Sequence, residues 1–389
     1  MTPRSSVSPN TMRKTAYTMA ALLVLVGTAT AQGPADLRAD ARNWPMFRGD
    51  SQLTGVARST LPDKLTVRWK FELSEAITSS AAIVDGAVYF GCDDGFLYAL
   101  NLSDGKLRWK YEIKEMVRSS PTVVNGTVYV GDDLGVMHAV DASTGTPRWK
   151  FQTDAQIISS PNYQNDRVVF GSYDGFVYCL SARDGKLAWK FETAGRVHAT
   201  PAITDGRVLV TGCDEYMHVL RLTDGKSVGK MSLGSVCGAS PALRGSQAYA
   251  ATYGSRVLSI KWDSGETTWA FQDAEREFPY MASAAVTDRT VFVAGRDKRV
   301  RALDIETGKP RWVFRTQGRI DSSPVVVGDR VFVGSLDGNV YGIDSATGQE
   351  VWRFETGSPI SASPAVADQR LVIGTEDGLL YCFGAGPSS

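Results

Sequence analysis

Three histidines, five cysteines and a recurring series of serines are the side chains in this 389-residue sequence equipped for nucleophilic or metal chemistry. A serine or cysteine nucleophile needs a base within hydrogen-bond reach, and a zinc or haem site needs several His or Cys at close spacing. No Cys-x-x-Cys is present, and the histidines are scattered. His138 and His218 occupy a position filled elsewhere by Tyr98, Tyr178, Tyr341 and Tyr381, which marks them as packed structural residues. The serines fall in a series: SSA (79–81), SSP (119–121), SSP (159–161), ATP (199–201), ASP (239–241), ASA (282–284), SSP (322–324) and ASP (362–364). Such regular recurrence marks a backbone role rather than a nucleophile. Cys92 and Cys213 read as one repeat position three units apart, and Cys179 and Cys382 as another, so neither pair should meet. Cys213 and Cys237 fall on adjacent units at the same face, where a disulfide is open.

His198 stands apart, three residues before Pro201. Its position in the other units holds Thr78, Arg118, Ile158, Gly238, Met281, Asp321 and Ser361. The sequence around this slot is strongly repetitive, yet the slot varies in size and charge, and a common fold does not explain that variation. We expect Arg118, His198 and Asp321 to form the polar mouth of a central funnel that binds a ligand or partner, with Arg196 and Arg319 one turn outward. The alternative is a solvated rim without a ligand. No residue is assigned a catalytic, cofactor-binding or metal-binding role.

These side chains are carried by an internal repeat. Trp69, Trp109, Trp149, Trp189, Trp269, Trp312 and Trp352 are spaced by 40 residues, except for one interval of 80 and one of 43. Gly229 sits midway through the long interval, so an eighth copy has lost its tryptophan. Each unit reads as four short strands joined by turns such as Asn125-Gly126, and the strands are apolar on both faces. Four-stranded units stacked radially make a β-propeller. The chain opens with a Trp strand (VRWKFEL) and closes on three strands lacking one, so the first strand should complete the last sheet. The expected fold is therefore all-β: an eight-bladed propeller of four-stranded antiparallel blades, its ring closed by the N-terminal Trp strand. Residues 1–31 read as a signal peptide, with a possible start at Met12, residues 32–66 as a lead-in, and residues 67–389 as the propeller. Blades four to six depart furthest from the repeat, with Glu215-Tyr216 in place of Asp-Gly, Gly229, the insertion EREFPYM (275–281), and a run RDKRVR (296–301) read as a solvated hairpin.

The recurring core A-x-D-x-x-T-G-x-x-x-W, as in Ala139 to Trp149 and Ala302 to Trp312, resembles the tryptophan-docking repeat of the pyrroloquinoline-quinone-like (PQQ-like) propeller family. VYFGCDDGFLYALNLSDGKLRW (88–109) is similar to that family's typical repeat, and WPMFRGDSQLTG (44–55) to segments that precede such propellers. The seven tryptophans are expected to be structural, each stacking on the neighbouring blade, with a small residue at the start of the motif leaving room for the ring. Quinone dehydrogenases of the family are longer; their resemblance would imply a calcium or lanthanide held by a Glu–Asn–Asp set, a catalytic Asp and adjacent cysteines. No such set is matched here and no two cysteines are adjacent. The nearer resemblance is to minimal, BamB-like members without catalysis, and implies a binding platform with no cofactor and an open, solvated channel. A PQQ-binding oxidoreductase or sensor is the alternative.

Composition supports export rather than nucleic-acid binding. Lys+Arg and Asp+Glu both number 42, leaving no basic excess for phosphates. Arg13 and Lys14, the apolar run Met19 to Val26 and the small-x-small site Ala29-Thr30-Ala31 form a cleavable signal, with no cysteine after it for a lipid anchor. The expectation is a periplasmic or secreted monomer with a protein or peptide partner in the cell envelope, no nucleic acid and no stable membrane insertion.

Overall fold

Asn125 and Gly126 both adopt positive φ (49° and 68°), the geometry of a tight hairpin whose twist matches that of its strands. That turn joins Thr122–Val124 to Thr127–Gly131, which is followed by Val136–Asp141 and Pro147–Gln152. The four pair antiparallel in chain order, from the axis outward. Every residue of the second strand is buried, whereas the outer strand alternates between exposed and half-buried. A sheet sandwiched between two neighbours buries both faces, and only its rim meets water.

The computed structural model describes residues 40–386 and contains eight such sheets. The export segment read at residues 12–31 lies outside the described residues. Among them, no helix is long and apolar enough to cross a membrane. The last sheet runs Thr66–Glu72, Leu379–Gly384, Arg370–Gly374, Ala365–Ala367, with Trp69 opposite Cys382. The N-terminal strand therefore closes the ring, and no blade is left without its outer strand.

The outer strands share a register slip beside the tryptophan, as between Pro147 and Trp149. The extra residue re-aims the side chain. Trp149 Nε1–H donates to the Ala182 carbonyl on the next blade at 3.0 Å, and Trp109 to that of Ala142 at 3.0 Å. The other five make the equivalent bond, from Trp69 to Leu102 through to Trp352 to Leu65. On the next blade, room for the ring comes from the motif's glycine. A Cβ on Gly145 would stand 2.8 Å from the Trp109 indole, and its φ of 74° suits glycine in any case. Ala139 lies opposite Trp149 within its own sheet, a small residue on the face that carries the ring.

Where Gly229 replaces the tryptophan, Met231 stands at the next motif glycine, its Cγ 3.5 Å from where a Cβ on Gly265 would lie. Trp262 fills the position of Ala142 and Ala182, packs against the core and donates to the Gly245 carbonyl at 3.1 Å. The RDKRVR hairpin is not solvated as expected: only Lys298 is fully exposed, and Arg301 is 1% exposed. Arg301 takes the buried place of Tyr98 and pairs with Asp273 at 2.6 Å and with Asp297; Arg299 meets Asp273 at 2.9 Å.

The lead-in threads the ring. Its carbonyls receive the N–H of the middle inner-strand residue of six blades: Ile83 to Trp44, Val123 to Pro45, Ile203 to Ser51, Leu243 to Gln52, Val286 to Thr54 and Val326 to Gly55, at 2.7–2.9 Å. Val56–Ala57 then adds a short parallel strand to Val325–Val327. Inner strands have a free edge facing the axis, and this segment satisfies it. Arg48, fully buried, donates to the carbonyls of Ala284 (3.0 Å) and Pro324 (2.6 Å), and burial lowers its guanidinium to about 9.

Candidate functional site

The repeated Ser-Pro position builds the inner wall. Ser80 N–H donates to Ser120 Oγ, Ser120 to Ser160, and so on through Thr200, Ser240, Ser283, Ser323 and Ser363 back to Ser80. All eight bonds are 2.8–3.1 Å, and together they close a circle. Each hydroxyl accepts, so its own O–H is free to donate.

This collar lines a cup of about 340 Å³ on the axis, whose mouth is formed by all eight residues of the variable slot. The lead-in closes the other end, and Phe47 is its one residue lining the cup. The channel is thus a blind cup rather than the open one expected of a platform. A ring of eight inner strands leaves unpaired edges on its axis, and the lead-in is held there by pairing with them.

Arg118, His198 and Asp321 all reach the cup; Arg196 and Arg319 do not line it. Arg118 lies between Asp93 (3.6 Å) and Asp133 (3.3 Å). Burial raises both carboxyls, with Arg118 opposing. Asp321 is held bidentately by Arg296 at 2.7 and 2.8 Å. The Tyr173 hydroxyl lies 2.7 Å from His198 Nδ1, and burial lowers this imidazole. Arg196 is exposed, with its guanidinium 5.4 Å from the Tyr173 ring centre; Arg319 is exposed at the rim. The remaining histidines are buried against carboxylates, His138 at 2.8 Å from Asp132 and His218 at 2.6 Å from Asp214.

Asp93, Asp133, Tyr173, Cys213, Tyr253, Arg296, Leu336 and Glu376 form a second variable ring that the sequence reading missed. Each donates its N–H to the residue two before the slot of its own blade, as Asp93 does to Ala76 and Tyr253 to Val236. The same bond corrects the cysteine register, because Cys213 matches Asp93 and not Cys92. All five thiols are free; Cys213 is exposed and Cys237 buried, its thiol pushed up to about 12. The sequence signal for this ring was the variable residue of each second hairpin, two positions from the repeated glycine. Tyr253 reaches inward because its neighbour is Gly238, where a Cβ would stand 2.6 Å from the tyrosine hydroxyl. On the same face, Leu134 is 60% exposed beside Met116, and Phe278 projects from the EREFPYM insertion.

The model of the family described as outer membrane protein assembly factor BamB matches residues 62–161, 135–277 and 263–383. The chain belongs to this family. BamB from Moraxella catarrhalis shares 21% identity, covers 84% of this chain and 99% of its own, and superimposes with a TM-score of 0.72. The quinohemoprotein alcohol dehydrogenase from Comamonas testosteroni shares 14% over 90% of this chain and 82% of its own, with a TM-score of 0.77. The serine/threonine-protein kinase AfsK of Streptomyces griseus is 37% identical over 78 residues, 19% of this chain; the match spans only 10% of the kinase. The BamB-family fold is thus shared with a redox enzyme, and fold alone assigns neither role. The cup's donor set does not fit a metal-assisted quinone site. Its one lining carboxylate, Asp321, is taken by Arg296, and no group of three or more His, Cys, Asp or Glu among the described residues is placed to hold a metal.

Proposed function

We propose that this chain is an exported, non-catalytic, monomeric propeller that holds a protein partner of the cell envelope against the cup face. The observation that carries this reading is the contrast between two rings on one axis. The collar is uniform and closes on itself, whereas the slot above it varies residue by residue and opens outward. Uniform positions build the scaffold, and varied positions beside exposed Leu134, Met116 and Phe278 offer a surface of one kind. Membership of the BamB family supports a partner in outer-membrane protein assembly. A quinone-binding oxidoreductase or sensor has the closed base of the cup in its favour and the donor set against it.

Photo-crosslinking in cells expressing the full chain tests the reading. A crosslinking residue at Leu134 or Phe278 should capture one common envelope protein, and the same residue at Val351, on the outer rim, should not. Equal capture from all three positions, or none, would sink the platform.

A further inference from the structure

We propose that the cup takes a neutral, polyhydroxylated ligand: a sugar unit, free or at the end of a glycan. This rests on the reading of the cup as a binding site and names what enters it. The collar supplies O–H donors, since each oxygen is already used as an acceptor by a neighbouring N–H. Accepting that bond polarises each O–H and strengthens it as a donor. Above the collar, the Thr78 and Ser361 hydroxyls on adjacent blades have no partner in the protein. His198 keeps its second ring nitrogen, and each Asp321 oxygen keeps a lone pair beyond its bond to Arg296. The wall therefore asks for a ligand that both accepts and donates along its whole edge.

Charge argues against an ion. Arg118 has a carboxylate on either side, and Asp321 is matched by Arg296, so the residues lining the cup present no uncompensated positive centre. The exposed Arg196 and Arg319 stand outside that lining. An anion would approach Asp93 and Asp133; a cation would meet the donor collar. A pyranose offers alternating hydroxyls on its edge and C–H groups on its face. Phe47, Ile158 and Met281 supply the apolar surface for that face. A cup of about 340 Å³ lies at the lower end of the usual ligand range, enough for about one or two rings.

Saturation-transfer NMR and calorimetry on the full chain would use methyl β-D-glucopyranoside, N-acetylglucosamine and maltotriose as probes, with acetate and phosphate as charged controls. At least one neutral sugar should bind saturably and the ions should not. Met281→Trp, which fills the cup from a loop, should weaken sugar binding at least roughly tenfold. Ile158→Trp does so from another blade, should the first variant fold poorly. Saturation confined to the terminal ring of maltotriose would indicate a glycan end, and preference for the monosaccharides a free sugar. Saturable acetate or phosphate, no sugar binding, or sugar binding unchanged in both variants would overturn the proposal. Because crosslinking at Leu134 involves no sugar, its persistence beside a negative sugar result would remove this inference alone.

Discussion

His198 illustrates what burial does to a single side chain. Its imidazole sits in the cup wall against the Tyr173 hydroxyl, and desolvation holds it below its ordinary value. The unfolded chain therefore binds a proton more readily than the folded one. The stabilising effect is full above an unfolded pKa of about 6.5, falls as pH drops through it, and stops falling once the folded imidazole also protonates. His198→Gln should show a shallower loss of melting temperature between about pH 7 and 5 than the parent protein. Identical slopes would show that His198 titrates as if solvated. Asp93 and Asp133, raised by burial, contribute the opposite trend as they protonate, so the comparison is between variant and parent.

At the scale of the element, blade-to-blade docking separates what a repeat encodes from what packing adjusts. Trp109 is buried with its N–H on the next blade, and Trp109→Ala should cost about 3–5 kcal/mol of unfolding free energy in urea. The seam after Gly229 works differently, since Met231 stands at its motif glycine and Trp262 lies half-buried on the next blade. Trp262→Ala, from a half-buried position, should cost less than about 3 kcal/mol, and Gly229→Trp in that background should recover part of it. A Cβ at Gly229 meets nothing closer than 3.4 Å, so the ring has a way in. No recovery would show that the two positions do not share one space. The missing tryptophan was legible from the 80-residue interval; what packs in its place was not, because neither Met231 nor Trp262 carries a repeat signal. The same limit explains RDKRVR, where charge alone reads as exposed and only the neighbouring Asp273 and Asp297 reveal a buried cluster.

For the whole molecule, the lead-in and the Trp strand do two different jobs. Thr66–Glu72 closes the ring at its rim, and residues 44–56 close it at its axis. Hydrogen exchange should find the amides of Ile83, Val123, Ile203, Leu243, Val286 and Val326 exchanging only through global unfolding in the intact chain. Deleting residues 40–57 should release these six while leaving the second-strand amides protected. If all amides lose protection together, the lead-in is part of the folding unit rather than a plug set into a finished ring.

The sequence by itself determined the blade number, the strand order, the closing strand and the identity of the variable slot. These follow from period, turn chemistry and apolar pattern, each of which acts within one unit and is repeated. Only the tertiary structure decided where the lead-in lies, and hence that the channel is a cup with Phe47 lining it. It also decided that the serine hydroxyls link the blades into one circle, that Arg118 and Asp321 each meet a partner from the neighbouring blade, Asp93 and Arg296, and that Cys213 belongs with Asp93. The physical reason is common to all four. Each depends on contacts between residues tens to hundreds of positions apart, which local pattern does not encode and which arise only when the ring brings every inner strand to one axis.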